Sequence, residues 1–193
     1  ATAICTYNSD DSITMYGSGC GVHGVIKSAI VNIFEMPETK VRTIQPYIGG
    51  SFGGRLTPYA EVLCAMMSLY LRKSCAYQYT RKEQFTGAPA AWPVYSRVKF
   101  GATKDGRVIA QDYDCVEEIG AIQNNVSYTG RLSSSGAVCV YDIDNIHMDP
   151  AATVTNTMPV GPVRGLGCPE SEFGMACMMT QLAADLGLSQ GER

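Results

Sequence analysis

The sequence is poor in the residues that several common kinds of functional site require. Among its 193 residues there are two histidines and one tryptophan, and charged residues make up only 17%. Its eight cysteines include no C-x-x-C pair, although zinc sites and iron–sulfur clusters usually depend on such local pairs. We therefore expect no metal ion to be bound directly by side chains of this chain.

Net charge and long apolar runs are also lacking. The formal net charge is -3 and no stretch is strongly basic, which argues against a nucleic acid as partner. No apolar run approaches the roughly 18–20 residues that cross a bilayer, so no membrane span is expected. Because 46% of the residues are hydrophobic and few are charged, we expect partner chains or further sequence to cover part of the surface. The missing initiator methionine leads us to expect a fragment or a processed chain.

The cysteines are spread along the chain rather than clustered. Cys64 and Cys177 lie within apolar helical patterns, where buried, reduced thiols are a simpler account than a disulfide framework. We therefore expect a cytoplasmic protein with buried free cysteines.

The most distinctive stretch is a glycine-rich loop at residues 49–55, Gly-Gly-Ser-Phe-Gly-Gly-Arg. It stands between a predicted strand at residues 40–47 and a predicted helix at residues 58–73. Glycine adopts positive φ and lets a ligand come close to the backbone, so the loop can direct N–H groups at an anion. The N-terminus of the following helix adds a favourable dipole. A tight strand-to-helix turn is the plainer interpretation, but four glycines exceed what such a turn needs.

Two familiar phosphate-binding motifs do not fit this loop. A P-loop needs Lys and then Ser or Thr after its last glycine, whereas Arg55 and Leu56 occupy those positions here. The G-x-G-x-x-G of a dinucleotide-binding fold fails because Ile48 stands where its first glycine belongs.

Two further glycine-rich loops precede predicted helices. Residues 17–21 lead into a helix predicted at 23–36, and residues 161–167 lead into a helix predicted at 169–186 that Gly187 ends. Three such junctions suggest that backbone amides converge on a polyanionic ligand.

Alternating apolar residues predict most of the strands. They indicate a hairpin at residues 1–7 and 12–16, a strand at 75–80, a second hairpin at 95–102 and 107–118, and a last strand pair within 146–157. A charged turn is expected at residues 81–83. The predicted fold class is α/β (α+β), with mixed, largely antiparallel strands and three main helices.

The helix predicted at residues 58–73 carries an apolar face at helical spacing, formed by Leu63, Met66, Met67 and Tyr70. A methionine stripe of this kind usually packs in a core, so we expect it to be buried.

Three motifs resemble those of the molybdenum hydroxylases, the family of xanthine dehydrogenase and aldehyde oxidase. The loop at residues 49–55 is similar to the family's G-G-G-F-G-G-K. Residues 156–170, Asn-Thr-Met-Pro-Val-Gly-Pro-Val-Arg-Gly-Leu-Gly-Cys-Pro-Glu, are similar to N-T-P-P-x-G-x-F-R-G-F-G-x-P-Q, and residues 80–85 match T-R-x-E-x-F. The similarity runs in order over nearly the whole chain, so residues 1–193 resemble the first half of the molybdopterin-binding domain in the family's large subunit.

The resemblance implies an oxidoreductase that hydroxylates an electron-poor carbon, in an N-heterocycle or an aldehyde, with oxygen derived from water. The implied cofactor is molybdenum–molybdopterin, with the cytosine dinucleotide form as one option. Two electrons would leave through iron–sulfur clusters to FAD on other domains or subunits. A multisubunit, cytoplasmic enzyme that takes a small-molecule substrate is therefore expected.

The resemblance also assigns site residues. The cofactor would contact the first motif at Gly50, Ser51, Phe52, Gly53 and Gly54, where the amides of Phe52 and Gly53 would face an oxo ligand, and the second motif at Arg164 and Gly165. Phe52, Arg131, Val163 and Leu166 would line the substrate pocket, although Arg131 can equally be a solvated surface residue. The family's catalytic base is a glutamate near the end of the subunit. We therefore assign no catalytic residue in this chain and expect it to be inactive alone.

The chain also departs from the family pattern. In the loop Gly19-Cys20-Gly21, Cys20 or Gly21 stands where relatives usually carry a glutamine, and Leu56 replaces a glutamate of the purine enzymes. Val163 and Leu166 replace aromatic residues, which argues against a flat purine substrate. These departures keep open an alternative, a non-catalytic scaffold or degenerate or split subunit that binds partners without the metal. A generic phosphate- or nucleotide-binding α/β domain is a third interpretation.

Overall fold

A computed structural model describes residues 1–123 and 135–189 of the chain. The chain divides into two compact units, Ala1–Ala90 and Ala91–Arg193. Within the described ranges, no helix combines the length and the apolar character that a bilayer span requires.

The first unit is built on a four-stranded sheet. Its strands are β1 (Thr2–Tyr7), β2 (Ile13–Gly17), β3 (Val41–Ile44) and β4 (Cys75–Gln78). They lie in the order β3-β2-β1-β4, with β2 and β3 parallel and the other pairs antiparallel. The hairpin predicted at the start of the chain is confirmed, with Cys5 opposite Met15.

Helices of the first unit cover one face of this sheet. A π-helical turn at Val22–Lys27 continues into α1 (Ser28–Phe34), and α2 (Tyr59–Leu71) follows the loop at residues 49–55. A short helix, α3 (Arg81–Gly87), completes the unit. The core joins the inward side chains of β1 and β2 to the helices; its fully buried members are Ala3, Cys5, Ile13, Met15, Val22, Ile26, Ile30, Val41, Ala60, Cys64 and Ala65.

The second unit contains a three-stranded sheet and one long helix. The strands β5 (Val94–Ala102), β6 (Val108–Glu118) and β7 (Asn145–Thr153) lie in that order, with β5 antiparallel and β7 parallel to β6. The helix α4 (Cys168–Leu186) ends at Gly187, which adopts φ 69°. This C-terminal glycine agrees with the prediction, because only glycine adopts the left-handed conformation without a steric cost.

The predicted fold class is confirmed, since both sheets are mixed and three of the five strand pairs among the described residues are antiparallel. Two local predictions are wrong. The expected turn at residues 81–83 is the start of α3, where the hydroxyl of Thr80 and the carboxylate of Glu83 cap each other's backbone amides. The expected last strand pair is the single strand β7.

The apolar face predicted for α2 is also placed differently. Tyr70 is 87% exposed and Met66 48% exposed, whereas Cys64, Ala65 and Ser68 are buried. The helix therefore packs its small side chains on the sheet and leaves the large ones outside, so the expectation of a buried methionine stripe is wrong.

All eight cysteines are free. Cys5, Cys64 and Cys115 are buried as expected, but Cys20, Cys139 and Cys177 are exposed. Cys177 is exposed because it lies on the outer face of α4. The face that packs on the core carries the buried residues Met175 and Ala183.

Candidate functional site

The loop at residues 49–55 has a backbone that turns repeatedly through the left-handed region. Gly50 adopts φ 122°, Phe52 φ 52° and Gly53 φ 95°. Positive φ is uncommon for a bulky residue such as phenylalanine and marks a backbone held in place by its surroundings. Phe52 is also 64% exposed, so this strained position presents an aromatic ring to solvent.

Several polar groups of this loop have no partner in the part of the chain that the structure describes. The amides of Phe52 and Gly53 donate no hydrogen bond to any described residue. The hydroxyl oxygen of Ser51 is buried and, among the described residues, has no hydrogen-bond partner. Buried polar groups in folded proteins are nearly always paired, so an unpaired hydroxyl beside unused amides indicates a place for an external acceptor or for water.

The first glycine loop is fastened to this loop by two hydrogen bonds. The amide of Cys20 donates to the carbonyl of Arg55 at 3.0 Å. The guanidinium of Arg55 donates to the carbonyl of Ser18 at 3.3 Å. Residues 17–21 and 49–55 therefore form one connected surface in the first unit.

Glu61 lies beneath that surface, in the first turn of α2, and is only 3% exposed. Its carboxylate accepts the amide of Ser18 at 3.1 Å, and the amide of Gly19 also faces it. Burial raises the pKa of this carboxyl, because the charged form loses its hydration. An internal carboxylate thus occupies the position that we had expected an external anion to take.

The amides of Ser18 and Gly19 are therefore turned inward, and the expectation that all three glycine loops offer amides to a ligand is wrong for this loop. Glu61 was not among the site residues predicted from the sequence. The signal for it was a lone carboxylate between apolar and small residues, Ala60, Cys64 and Ala65, at the start of a helix.

An open cavity of about 480 Å³ lies beside the loop at residues 49–55. Ser51, Phe52, Arg55, Arg81 and Gln84 contribute to its lining. Two guanidinium groups, an amide and an unpaired hydroxyl suit a polar ligand that carries negative charge.

The third glycine loop belongs to the second unit. Gly165, Leu166 and Gly167 adopt φ values of 100°, 53° and 99°. The amide of Leu166 donates to the carbonyl of Val163 at 2.8 Å, and the amide of Cys168 donates to that of Gly165 at 3.1 Å. A Cβ on Gly165 would lie 2.5 Å from Cγ of Pro169, so the close approach of the following helix requires glycine here.

This loop exposes the residues that the resemblance selects. Arg164 is exposed and forms no hydrogen bond or ion pair with any described residue. Val163 and Leu166 are exposed beside it. Arg131, the fourth residue predicted for the substrate pocket, lies outside the described residues.

One cluster of metal-ligand type occurs among the described residues, on the outer face of the second sheet. One ligand atom each from Asp112, Asp114 and His147 lie within 4.8 Å of one another. Lys99 and His147 contact Asp112 at 2.8 Å and 2.9 Å, and Arg97 pairs with Asp114. Because the carboxylates are already paired with cations, we interpret the cluster as a surface ion-pair network.

Taken separately, the donor groups of each outward-facing loop fit an anionic cofactor better than a side-chain-bound metal. The loop at residues 49–55 offers amides and a hydroxyl that pair with no described residue, and the loop at 161–167 offers an exposed arginine. Neither loop brings together histidine or carboxylate ligands. A metal in such a site would therefore be carried by the cofactor itself.

Comparison with known proteins gives consistent matches over almost the whole chain. A family model described as molybdopterin cofactor-binding domain matches residues 1–192. The large molybdopterin subunit of nicotinate dehydrogenase from Eubacterium barkeri is 29% identical over 96% of this chain and 43% of its own length. Aldehyde oxidoreductase from Megalodesulfovibrio gigas is 28% identical over 96% of this chain and 20% of its own length.

A solved structure agrees with these matches. Aldehyde oxidoreductase from Desulfovibrio gigas superposes with a TM-score of 0.88 at 25% identity, over 98% of this chain and 21% of the other. The chain therefore spans between 20% and 43% of the length of these relatives. The matches confirm the resemblance that the motifs indicated.

Proposed function

Because this chain belongs to the molybdopterin cofactor-binding domain family, we propose that it forms part of the large subunit of a molybdenum hydroxylase. The observation that carries the proposal is the outward-facing loop at residues 49–55, whose Phe52 and Gly53 amides are unused within the described protein. Residues 1–193 are proposed to be one portion of the molybdopterin-binding domain, and the activity belongs to the assembled protein.

We propose that Gly50 to Gly54 hold the cofactor through backbone amides, and that Arg164 and Gly165 contribute a second contact. When bound, the cofactor supplies the two-electron oxidation of a substrate carbon with oxygen from water. The reaction consumes one C–H bond and one water, and it yields one C–OH group, two protons and two electrons. The amides of this chain orient the cofactor and stabilise negative charge on it, which costs little because they are already in place.

The substrate is proposed to be an N-heterocycle or an aldehyde. Nicotinate dehydrogenase and aldehyde oxidoreductase are among the relatives. Phe52 supplies an exposed aromatic wall, while Val163 and Leu166 are smaller than the aromatic residues expected for a purine site. Leu56 lacks the carboxylate of the purine enzymes, which points in the same direction. Arg131 remains proposed as a substrate-orienting residue.

The electrons are proposed to pass to iron–sulfur clusters and FAD on partner domains or subunits. The base, a glutamate by resemblance, would come from a part of the protein outside this chain.

A cytoplasmic location fits the eight free cysteines. The cytosine dinucleotide form of the cofactor is distinguishable by release of CMP on mild hydrolysis.

The first experiment is molybdenum analysis with pterin fluorescence on the assembled protein that contains this chain. We expect stoichiometric molybdenum and oxidised pterin, and a loss of about tenfold or more in pterin retention for Arg164→Ala, which removes a charged contact. Arg42→Ala, at an exposed position on β3, serves as the control and should retain both. An intact, folded assembly without molybdenum and pterin would exclude the hydroxylase.

The second candidate is a scaffold subunit that keeps the fold and binds partners without the metal. Its support is the loop Gly19-Cys20-Gly21, where Cys20 or Gly21 stands in place of the family's glutamine and offers no side-chain amide. The same metal and pterin analysis separates the two functions, because the scaffold predicts a complete assembly with neither.

A further inference from the structure

We propose that Glu61 is a positioning residue that sets the conformation of the cofactor loop at residues 49–55 from within the core. This inference rests on the proposed function for its meaning, but the contacts that carry it lie wholly in the first unit. Glu61 itself contacts no ligand and acts through the loop at residues 17–21.

The first step is the rigid placement of the carboxylate. Glu61 follows Ala60 on α2, and Ala60, Cys64 and Ala65 are buried against the sheet. The thiol of Cys64 faces the carbonyl of Ala3 on β1 at 3.6 Å. The helix is therefore fixed on β1, and the side chain of Glu61 starts from a fixed point.

The second step connects Glu61 to the first glycine loop. Its carboxylate accepts the amide of Ser18 at 3.1 Å. A Cβ on Gly17 would lie 3.1 Å from Cγ of Glu61 and 2.8 Å from Cδ1 of Ile26. The loop backbone is thus packed directly onto Glu61, with no room for a side chain between them.

The third step connects the first loop to the cofactor loop. Ser18, held through its amide by Glu61, uses its carbonyl to accept the guanidinium of Arg55 at 3.3 Å. The amide of Cys20 donates to the carbonyl of Arg55 at 3.0 Å. A Cβ on Gly19 would lie 3.1 Å from that carbonyl oxygen. Arg55 is therefore held on both its backbone and its side chain, and it ends the segment that contains Phe52 and Gly53.

This chain of contacts requires a buried hydrogen-bond acceptor at position 61. Removing it would leave the amide of Ser18 buried and unsatisfied, which is costly. A neutral amide side chain of the same length offers an equivalent oxygen. The proposal therefore predicts that Glu61→Gln keeps the conformation of both loops and that Glu61→Ala does not.

The test uses the assembled protein that contains this chain, with hydrogen–deuterium exchange and pterin fluorescence as readouts. For Glu61→Ala we expect exchange at residues 17–21 to rise about tenfold. Exchange at residues 49–55 should rise with it, and pterin retention should fall at least about twofold. Glu61→Gln should stay within about twofold of wild type in all three quantities. Glu172→Ala, at an exposed position on α4, is the control and should change none of them.

Two results would overturn the proposal: faster exchange at 17–21 with unchanged exchange at 49–55, or a glutamine variant as impaired as the alanine variant. If Glu61→Ala prevents folding, Glu61→Asp takes its place. Aspartate is one methylene shorter, which moves the carboxylate away from the amide of Ser18, so hydrogen–deuterium exchange should rise in both loops. A wild-type assembly that lacks pterin contradicts the proposed function, whereas the exchange data still decide the role of Glu61.

Discussion

Gly49 and Gly50 are adjacent in the loop at residues 49–55, yet only one of the two positions requires glycine. Gly50 adopts φ 122°, and a Cβ there would lie 2.5 Å from the ring of Phe52. A Cβ on Gly49 would meet no atom within 4 Å. The two positions therefore provide a matched pair for testing whether the loop conformation matters.

We expect Gly50→Ala to lower the free energy of unfolding by about 1–3 kcal/mol, because it combines backbone strain with a clash. It should also reduce pterin retention in the assembled protein. Gly49→Ala should stay within about 0.5 kcal/mol of wild type. Chemical denaturation and pterin fluorescence measure both effects, and equal behaviour of the two variants would contradict this account of the loop.

The buried carboxyl of Glu61 should make the stability of the protein depend on pH. Its folded-state pKa is raised by burial, so as pH rises above about 4 the unfolded chain releases this proton before the folded chain does. The folded state then binds more protons, and the contribution of Glu61 to stability falls as pH rises through its raised pKa.

Glu61→Gln removes this titration while keeping an acceptor for Ser18. The stability of the variant relative to wild type should therefore increase between about pH 4 and pH 8. Denaturation curves for both proteins across this range measure the difference, in which the contributions of other carboxyl groups cancel. A difference that does not vary with pH would show that burial leaves the carboxyl pKa unshifted.

At the scale of elements, α2 shows how a helix with two apolar faces is oriented. The sequence marked Leu63, Met66 and Tyr70 as the core face, since these side chains are large. The buried face instead carries Cys64 and Ser68, whose small side chains allow the helix to lie close to the sheet. The spacing of apolar residues along the sequence is compatible with either face of α2 being buried. Only the distance between helix and sheet in the folded protein determines which face is buried.

The start of α3 provides a test at this scale. The hydroxyl of Thr80 accepts the amide of Glu83 at 3.2 Å, and the carboxylate of Glu83 accepts the amide of Thr80 at 2.7 Å. This capping box is a sequence signal for a helix start, and it turns the expected charged turn into a helix.

We expect Thr80→Ala to destabilise α3 by about 0.5–2 kcal/mol, because it leaves the amide of Glu83 unsatisfied. Thr80→Ser keeps the hydroxyl and should cost far less. Hydrogen–deuterium exchange at residues 81–87 measures the effect locally. If alanine and serine give the same exchange, the hydroxyl does not stabilise the helix.

At the scale of the whole molecule, the chain is organised as two units with separate cores. The core of the first unit joins β1 and β2 to α1 and α2. In the second unit, Tyr113, Cys115 and Met175 belong to one buried cluster and Trp92, Ile119 and Val160 form another. Each unit presents one glycine loop with outward-facing groups, at residues 49–55 and at 161–167. That residues 1–193 act together as one portion of a cofactor domain stays a prediction.

The sequence alone determined the features that depend on neighbouring residues. The first hairpin, the three glycine loops and the end of α4 at Gly187 follow from strand alternation and from the conformational freedom of glycine. The family resemblance also followed from contiguous motifs.

Only the tertiary structure decided the features that depend on residues far apart in the chain. Glu61 meets the amide of Ser18 across 43 positions, and β7 pairs in parallel with β6 across a long connection. The exposed face of α2 was settled in the same way. The physical reason is that burial and hydrogen-bond pairing are set by what the folded chain brings opposite each residue, and no local pattern contains that information.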